Sequence, residues 1–187
     1  MDLLAVSSEK HDPKEAEVIV RLFEAGLKRY HLRKPNWSEK LCATLLAALP
    51  AHLHPKISIH QCYTLARHFD VRLHQKDTGE RITNARSRSL HQLEDFDEAL
   101  CGYEYGVLSP LFPSISKTGY TPRWTIDELR IHMSSCTLAT VYALGGITAC
   151  NASLAMDLGF KGVVLHGSLW KAPDPLSAFR RFRKEAA

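Results

Sequence analysis

The chain has 187 residues and a mass of 21.0 kDa, with 45% hydrophobic residues, 24% charged residues and a formal net charge of +4. These values suit one soluble globular domain over 1–187 that buries roughly two-thirds of its unfolded surface. The longest apolar runs, such as "LCATLLAALP", are too short to cross a bilayer. An acid, Asp2, stands where a secretory leader would be basic, so the expectation is a cytoplasmic protein with no membrane partner. Cys42, Cys62, Cys101, Cys136 and Cys150 are scattered, odd in number and without a CxxC pair. That argues against a disulfide framework or a cysteine zinc site, and each is read as a small buried apolar residue.

In chain order, "LLAV" is a strand, and "PKEAEVIVRLFEAG" a helix punctuated by Pro13 and Gly26. "RYHLR" then precedes "SEKLCATLLAAL", capped by Ser38 and closed by Pro50. "KISI" precedes the short "YTLARHF", and "VRL" follows; "QKDTGERITNA" is too polar and short for a full helix. "ARS" leads to "SLHQLEDFDEAL", where Ser89 is placed to cap a helix. "YEYGVL" enters the loop "SPLFPSISKTGY", and "TIDELRIHM" is the helix after it. "LATVYAL" meets "GGI", "NASLAMDLGF" is a helix ending at Gly159, and "GVVL" meets "HGS". The basic tail "DPLSAFRRFRKEA" is a last helix that turns Phe179 and Phe182 inward and leaves its arginines solvated. It lacks the broad basic face that nucleic-acid binding requires.

Eight strand-like runs, most followed by a helix, predict parallel strands joined by right-handed crossovers. A compact (β/α)8 TIM barrel is the expected fold, with a flavodoxin-like open sheet as the alternative. A barrel puts chemistry at the strand C-termini and phosphate at the loops after strands seven and eight. Those loops contain Gly145 and Gly146, and Gly167 and Ser168, whose backbone N–H groups can approach an anion closely.

The other strand ends supply His31, Arg33 and Lys34, then His60 and Gln61, then His74, Gln75 and Asp77. Ser87 and Ser89 follow on strand five, and Ser114, Ser116 and Lys117 on strand six. Cations among neutral donors suit a second, larger anion such as pyrophosphate. Asp77 could hold Mg2+ between phosphate oxygens. His31, His60, His74 and His166 also invite a metal site. With no HxH on a strand end and no second acid beside Asp77, each is read instead as a packed or hydrogen-bonding histidine.

The loop "GVLSPLFPSISKTGY" resembles the thiamine phosphate synthase loop G-x-G-P-[IV]-[FY]-P-T-x-T-K in its order of Pro110, Phe112, Pro113, two hydroxyls and Lys117. "ALGGITACNASLAMDLGFKGVVLHGSL" resembles that family's C-terminal stretch, "SLHQLEDF" its S-x-H segment, and "EAGLKRYHLRKP" its Q-[LF]-R-x-K segment. The resemblance also takes in the TenI-type thiazole tautomerases. It implies the joining of hydroxymethylpyrimidine diphosphate to a thiazole phosphate with loss of pyrophosphate. Lys117 and Arg33 would then be catalytic, and Ser114, Ser116 and Ser89 would hold the pyrophosphate. His31, Lys34 and His60 would contact substrate, Gly145, Gly146, Gly167 and Ser168 the thiazole phosphate, and Asp77 a magnesium ion.

The sequence departs from the family pattern at two strand ends. Q-x-R-x-K reads His31-Leu32-Arg33-Lys34-Pro35, and the asparagine–aspartate pair after strand three reads His60-Gln61. The histidine that the tautomerase branch carries in the strand-six loop falls near Pro110. The intact lysine loop favours the synthase reaction; a tautomerase and a non-catalytic thiazole-phosphate binder are the alternatives. The expected partners are small phosphorylated substrates, and a homo-oligomer is compatible with the sequence.

Overall fold

A computed structural model describes residues 1–113 and 123–185, and its eight parallel strands close into a barrel in sequence order. The strands are β1 (Asp2–Val6), β2 (Arg29–Leu32), β3 (Ile57–Ile59), β4 (Arg72–Gln75), β5 (Ala85–Leu90), β6 (Tyr105–Leu108), β7 (Val141–Leu144) and β8 (Gly162–Leu165). Pairing of β8 with β1, from Asp2↔Gly162 to Ala5↔Leu165, removes the sheet edges and rules out the open sheet. Gly162 permits this contact, since a Cβ there would lie 2.1 Å from the Asp2 carbonyl oxygen.

The helices are α1 (Glu15–Glu24), α2 (Glu39–Ala47), α3 (Phe96–Ala99), α4 (Ile126–Ser135), α5 (Ala152–Asp157), α6 (Gly167–Trp170) and α7 (Pro175–Glu185). Ser38 caps α2 by accepting from the Leu41 N–H, and Thr125 with Glu128 forms a reciprocal capping box on α4. Gly26 and Gly159, at φ +102° and +97°, end α1 and α5 in the left-handed conformation. The short helix expected after β3 is a 3-10 turn, Tyr63–Arg67, and β4 connects to β5 without a helix.

Two expectations need correction. Ser89 does not cap a helix: β5 runs through it, paired Ser89↔Val107, and its hydroxyl bonds His74 inside the barrel. The helix that follows begins only at Phe96, where Asp95 accepts from the Glu98 N–H. Nor are all the cysteines buried. Cys42 is, but Cys101 and Cys150 are exposed because they lie in turns after α3 and before α5. All five are free thiols.

The main core lies between the barrel wall and the helices. α7 contributes Phe179 and Phe182 to it, while Arg180, Arg181 and Arg183 stay exposed. Inside the barrel a second, smaller cluster joins Leu4, Val6, Tyr105, Val107, Tyr142 and Val164. The lumen is therefore divided. Its β6–β8 and β1 side is largely apolar, whereas β2–β5 point His31, Ser58, His74, Ser87 and Ser89 inward. Among the described residues, no helix is long and apolar enough to cross a membrane.

One carboxylate ties α3 to the α4–β7 connection. Asp97 accepts from the N–H groups of Thr137, Leu138 and Ala139 and from the Thr137 hydroxyl, at 2.8–3.0 Å. These bonds, those from Thr137 foremost, hold its carboxyl well below the ordinary 3.8. A depressed folded pKa contributes stability that is complete above the unfolded value and is lost as pH falls through the folded one. Asp97→Asn should therefore lower the melting temperature at neutral pH, and the gap from wild type should narrow as the pH drops below 3.8. A gap of constant size in thermal melts across that range would remove Asp97 from this role.

Candidate active site at the barrel mouth

The C-terminal ends of β2–β5 bring three histidines together. His31 Nδ1 lies 2.9 Å from His60 Nε2, and the Tyr105 hydroxyl lies 2.9 Å from His31 Nε2. Ser58 Oγ continues the chain at 3.3 Å from the tyrosine oxygen. His74 stacks on His60 with ring centroids 4.0 Å apart, and its two nitrogens meet Ser87 Oγ at 2.8 Å and Ser89 Oγ at 2.9 Å. Strand alternation explains this convergence, since residues two apart share a face: Ser58 with His60, Ser87 with Ser89, and Tyr105 with Val107. Burial pushes all three imidazoles down, His74 to about 3, so they are neutral at physiological pH.

Around this cluster the cations differ sharply in exposure. Arg33 is exposed and makes only a loose 3.5 Å pair with Glu9. Lys34 points inward: fully buried, its Nζ lies 2.5 Å from Glu15 Oε2, 3.0 Å from the Lys10 carbonyl and 4.4 Å from the centre of the Trp37 ring. Glu15 also accepts from the Tyr30 hydroxyl at 2.8 Å, and burial raises its carboxyl against the pull of Lys34. A ligand could reach the Lys34 ammonium only by breaking this pair.

Asp77 lies beyond β4, 3.0 Å from His91 Nδ1 and 3.5 Å from Arg88 Nη2. Magnesium takes oxygen ligands and often only one protein carboxylate alongside substrate phosphates, which Asp77 fits once Arg88 gives way. A 480 Å³ cleft lined by Asp77, Arg81, Arg88 and Glu94 opens between the β4–β5 connection and α3, to one side of the histidines.

On the opposite side, Gly145 and Gly146 have φ of +100° and +65° and receive the start of the β6 loop. A Cβ at Gly146 would meet the Pro113 oxygen at 2.4 Å, and Phe112 N–H donates to the Gly145 oxygen. These glycines thus serve loop packing directly. In the β8 loop, Ser168 Oγ is buried and lacks a hydrogen-bond partner among the described residues, as does Gln61 Nε2 beside β3. Gly167 and Ser168 open α6 ahead of its first bonds, which run from the Leu169 and Trp170 N–H groups to the His166 carbonyl. Ser114, Ser116 and Lys117 lie outside the described residues.

Reading of the sequence missed Tyr105, Ser58 and Glu15. The period-two spacing of polar residues on β2–β5 was the available signal for the first two; nothing local marks Glu15 as the partner of a lysine 19 residues away.

No protein-family model matches the chain. It is 29% identical over 110 residues to the thiamine-phosphate synthase of Geobacillus kaustophilus, covering 58% of this chain and 48% of that protein. It is 32% identical over 97 residues to the thiamine-phosphate synthase of Albidiferax ferrireducens, covering 51% and 44%. The chain thus spans about half the length of the curated relatives it matches. Among solved structures it is similar to a thiamine phosphate pyrophosphorylase from Bacteroides thetaiotaomicron, with a TM-score of 0.84 and 28% identity over 100% of this chain and 98% of the other. A thiamine phosphate pyrophosphorylase from Pyrococcus furiosus shares the fold at a TM-score of 0.80 and 20% identity, over 98% and 94%. The resemblance read from the motifs therefore holds in sequence and in architecture.

The Lys34–Glu15 pair has a measurable consequence. Lys34→Met leaves a buried carboxylate without its partner and should destabilise the fold by about 3–5 kcal/mol, read by denaturant unfolding. Replacing both residues, Lys34→Met with Glu15→Gln, should recover much of that loss. A Lys34→Met protein of wild-type stability would show that the pair does not hold the fold.

Proposed function

We propose that the chain is a transferase of the thiamine-phosphate synthase type, joining hydroxymethylpyrimidine diphosphate to thiazole phosphate with release of pyrophosphate. The observation that carries this reading is the structural match to the Bacteroides thetaiotaomicron thiamine phosphate pyrophosphorylase over the whole chain at 28% identity. The unpartnered Ser168 Oγ supports a place for the thiazole phosphate between the β7 and β8 loops, with N–H groups of Gly167 and Ser168 as further donors. Gly145 and Gly146 would shape the facing wall.

Arg33, free of any tight partner among the described residues, would meet the diphosphate together with Lys117, Ser114 and Ser116 from the β6 loop. Ser89 and His60 would contact the pyrimidine side, with His31 behind them bonded to His60 and Tyr105. Lys34 would act from behind, fixing α1 against β2 through Glu15. Asp77 would hold a magnesium ion, which supplies charge neutralisation to the leaving diphosphate. Departure of that group builds negative charge, so the cations should favour the transition state over bound substrate.

A coupled assay with both substrates and magnesium, scored for thiamine phosphate, tests the reading. Lys117→Ala should lower turnover about 10²–10³-fold, the scale of losing one donor to a developing anion, while leaving thiazole-phosphate affinity nearly unchanged. Asp77→Asn should sharply raise the magnesium requirement. Gly167→Asp should abolish thiazole-phosphate binding by setting a carboxylate against the anion. Wild-type protein that isomerises thiazole carboxylate but makes no thiamine phosphate would overturn the assignment.

A further inference from the structure

We propose that His31, His60 and His74 form a site for one divalent transition-metal ion of the zinc or cobalt class, inside the barrel mouth and distinct from the magnesium position at Asp77. One ring nitrogen from each histidine lies within 4.8 Å of the others, and all three residues are buried. Imidazole suits zinc, cobalt, nickel and copper, whereas magnesium seeks oxygen. The donor set therefore selects a different ion from the one the diphosphate recruits.

The surroundings of the rings strengthen the assignment. A ligating histidine needs its second nitrogen held by a hydrogen-bond partner that fixes ring orientation. His31 Nε2 has Tyr105 at 2.9 Å and His74 Nδ1 has Ser87 at 2.8 Å. That leaves His31 Nδ1 and His74 Nε2 for the ion, and His60 Nε2 joins them because it already meets His31 Nδ1; the three metal-facing atoms are thus His31 Nδ1, His60 Nε2 and His74 Nε2. The first two are 2.9 Å apart, sharing one proton that an ion would replace.

Zinc–nitrogen bonds of about 2.0–2.1 Å in a tetrahedron imply nitrogen separations of about 3.3 Å. Loading therefore draws His74 Nε2 inward, away from Ser89, and fans the stacked His60 and His74 rings until their lone pairs converge. His60, 8% exposed against 1% for the other two, lies on the open side, where a fourth ligand would enter. Because all three ligands are neutral, the ion keeps its full charge and favours an anion or hydroxide in that position.

The test uses the full chain, stripped with chelator and reloaded. Wild type should retain one zinc or cobalt ion per chain through gel filtration, and excess magnesium should not displace it. The cobalt form should show the visible d–d bands of a tetrahedral nitrogen site. His60→Gln and His74→Gln should each lose the ion while keeping the wild-type circular dichroism. Tyr105→Phe, which leaves all three ligands in place, should weaken affinity about 10–100-fold by freeing the His31 ring. Wild type that retains no stoichiometric ion would overturn the proposal, whether or not the glutamine variants fold. So would retention by either glutamine variant, or a thiolate-to-cobalt charge-transfer band placing the ion on cysteine. Metal content and spectrum are read without turnover, so failure of the proposed transferase activity is a separate result.

Discussion

Everything at the mouth depends on the β1–β8 ladder. Those strands are joined by four register pairs between the two ends of the chain, and the contact is so close that only glycine fits opposite Asp2. Without closure the sheet would have two edges and no interior. His31, His60 and His74 would then lie on a solvated face, where imidazoles titrate near their ordinary value. Closure removes water from them and makes a group of weak bases into a neutral, hydrogen-bonded array. The loops after β7 and β8 are set beside the other strand ends by the same ladder.

The division of the lumen follows from which strands carry which residues. An apolar side of Leu4, Val6, Val107 and Val164 packs by dispersion and tolerates modest repacking. The β2–β5 side packs by hydrogen bonds, and each buried polar atom there needs its partner. His74 has two serine hydroxyls and His31 has a tyrosine and a histidine, so that half of the barrel is satisfied by its own side chains. Among the described residues, the buried side-chain atoms left unsatisfied, Ser168 Oγ and Gln61 Nε2, lie at the mouth instead, where a ligand could complete them.

Much of this architecture was legible in the sequence because it is written locally. Strand runs such as "GVVL", the Ser38 cap and the Gly26 and Gly159 stops each depend on neighbours within a few residues. The same locality misled at Ser89, where a serine before a polar segment reads as a cap but is held in β5 by a histidine 15 residues upstream. Lys34 reads as a strand-end cation available to substrate because its partner Glu15 lies on another element. The histidines at the strand ends invited a grouping in the sequence, but nothing local showed which of them meet, since His31 and His60 are 29 residues apart and come together only once the barrel has closed.

The chain Ser58–Tyr105–His31–His60 has a property beyond its bonds. Neutral His31 carries one ring proton. On Nδ1, that proton makes every donor in the chain run toward His60; on Nε2, every donor runs back toward Ser58. The array thus has two polarities on one set of heavy-atom positions; passing from the first to the second moves a proton along every link, with one proton taken up at Ser58 and one released from the far nitrogen of His60. A charge arriving beside His60 selects one of them, and the choice is carried to Ser58, deep in the barrel. The interior of this barrel is in that sense a reversible dipole rather than an inert filling.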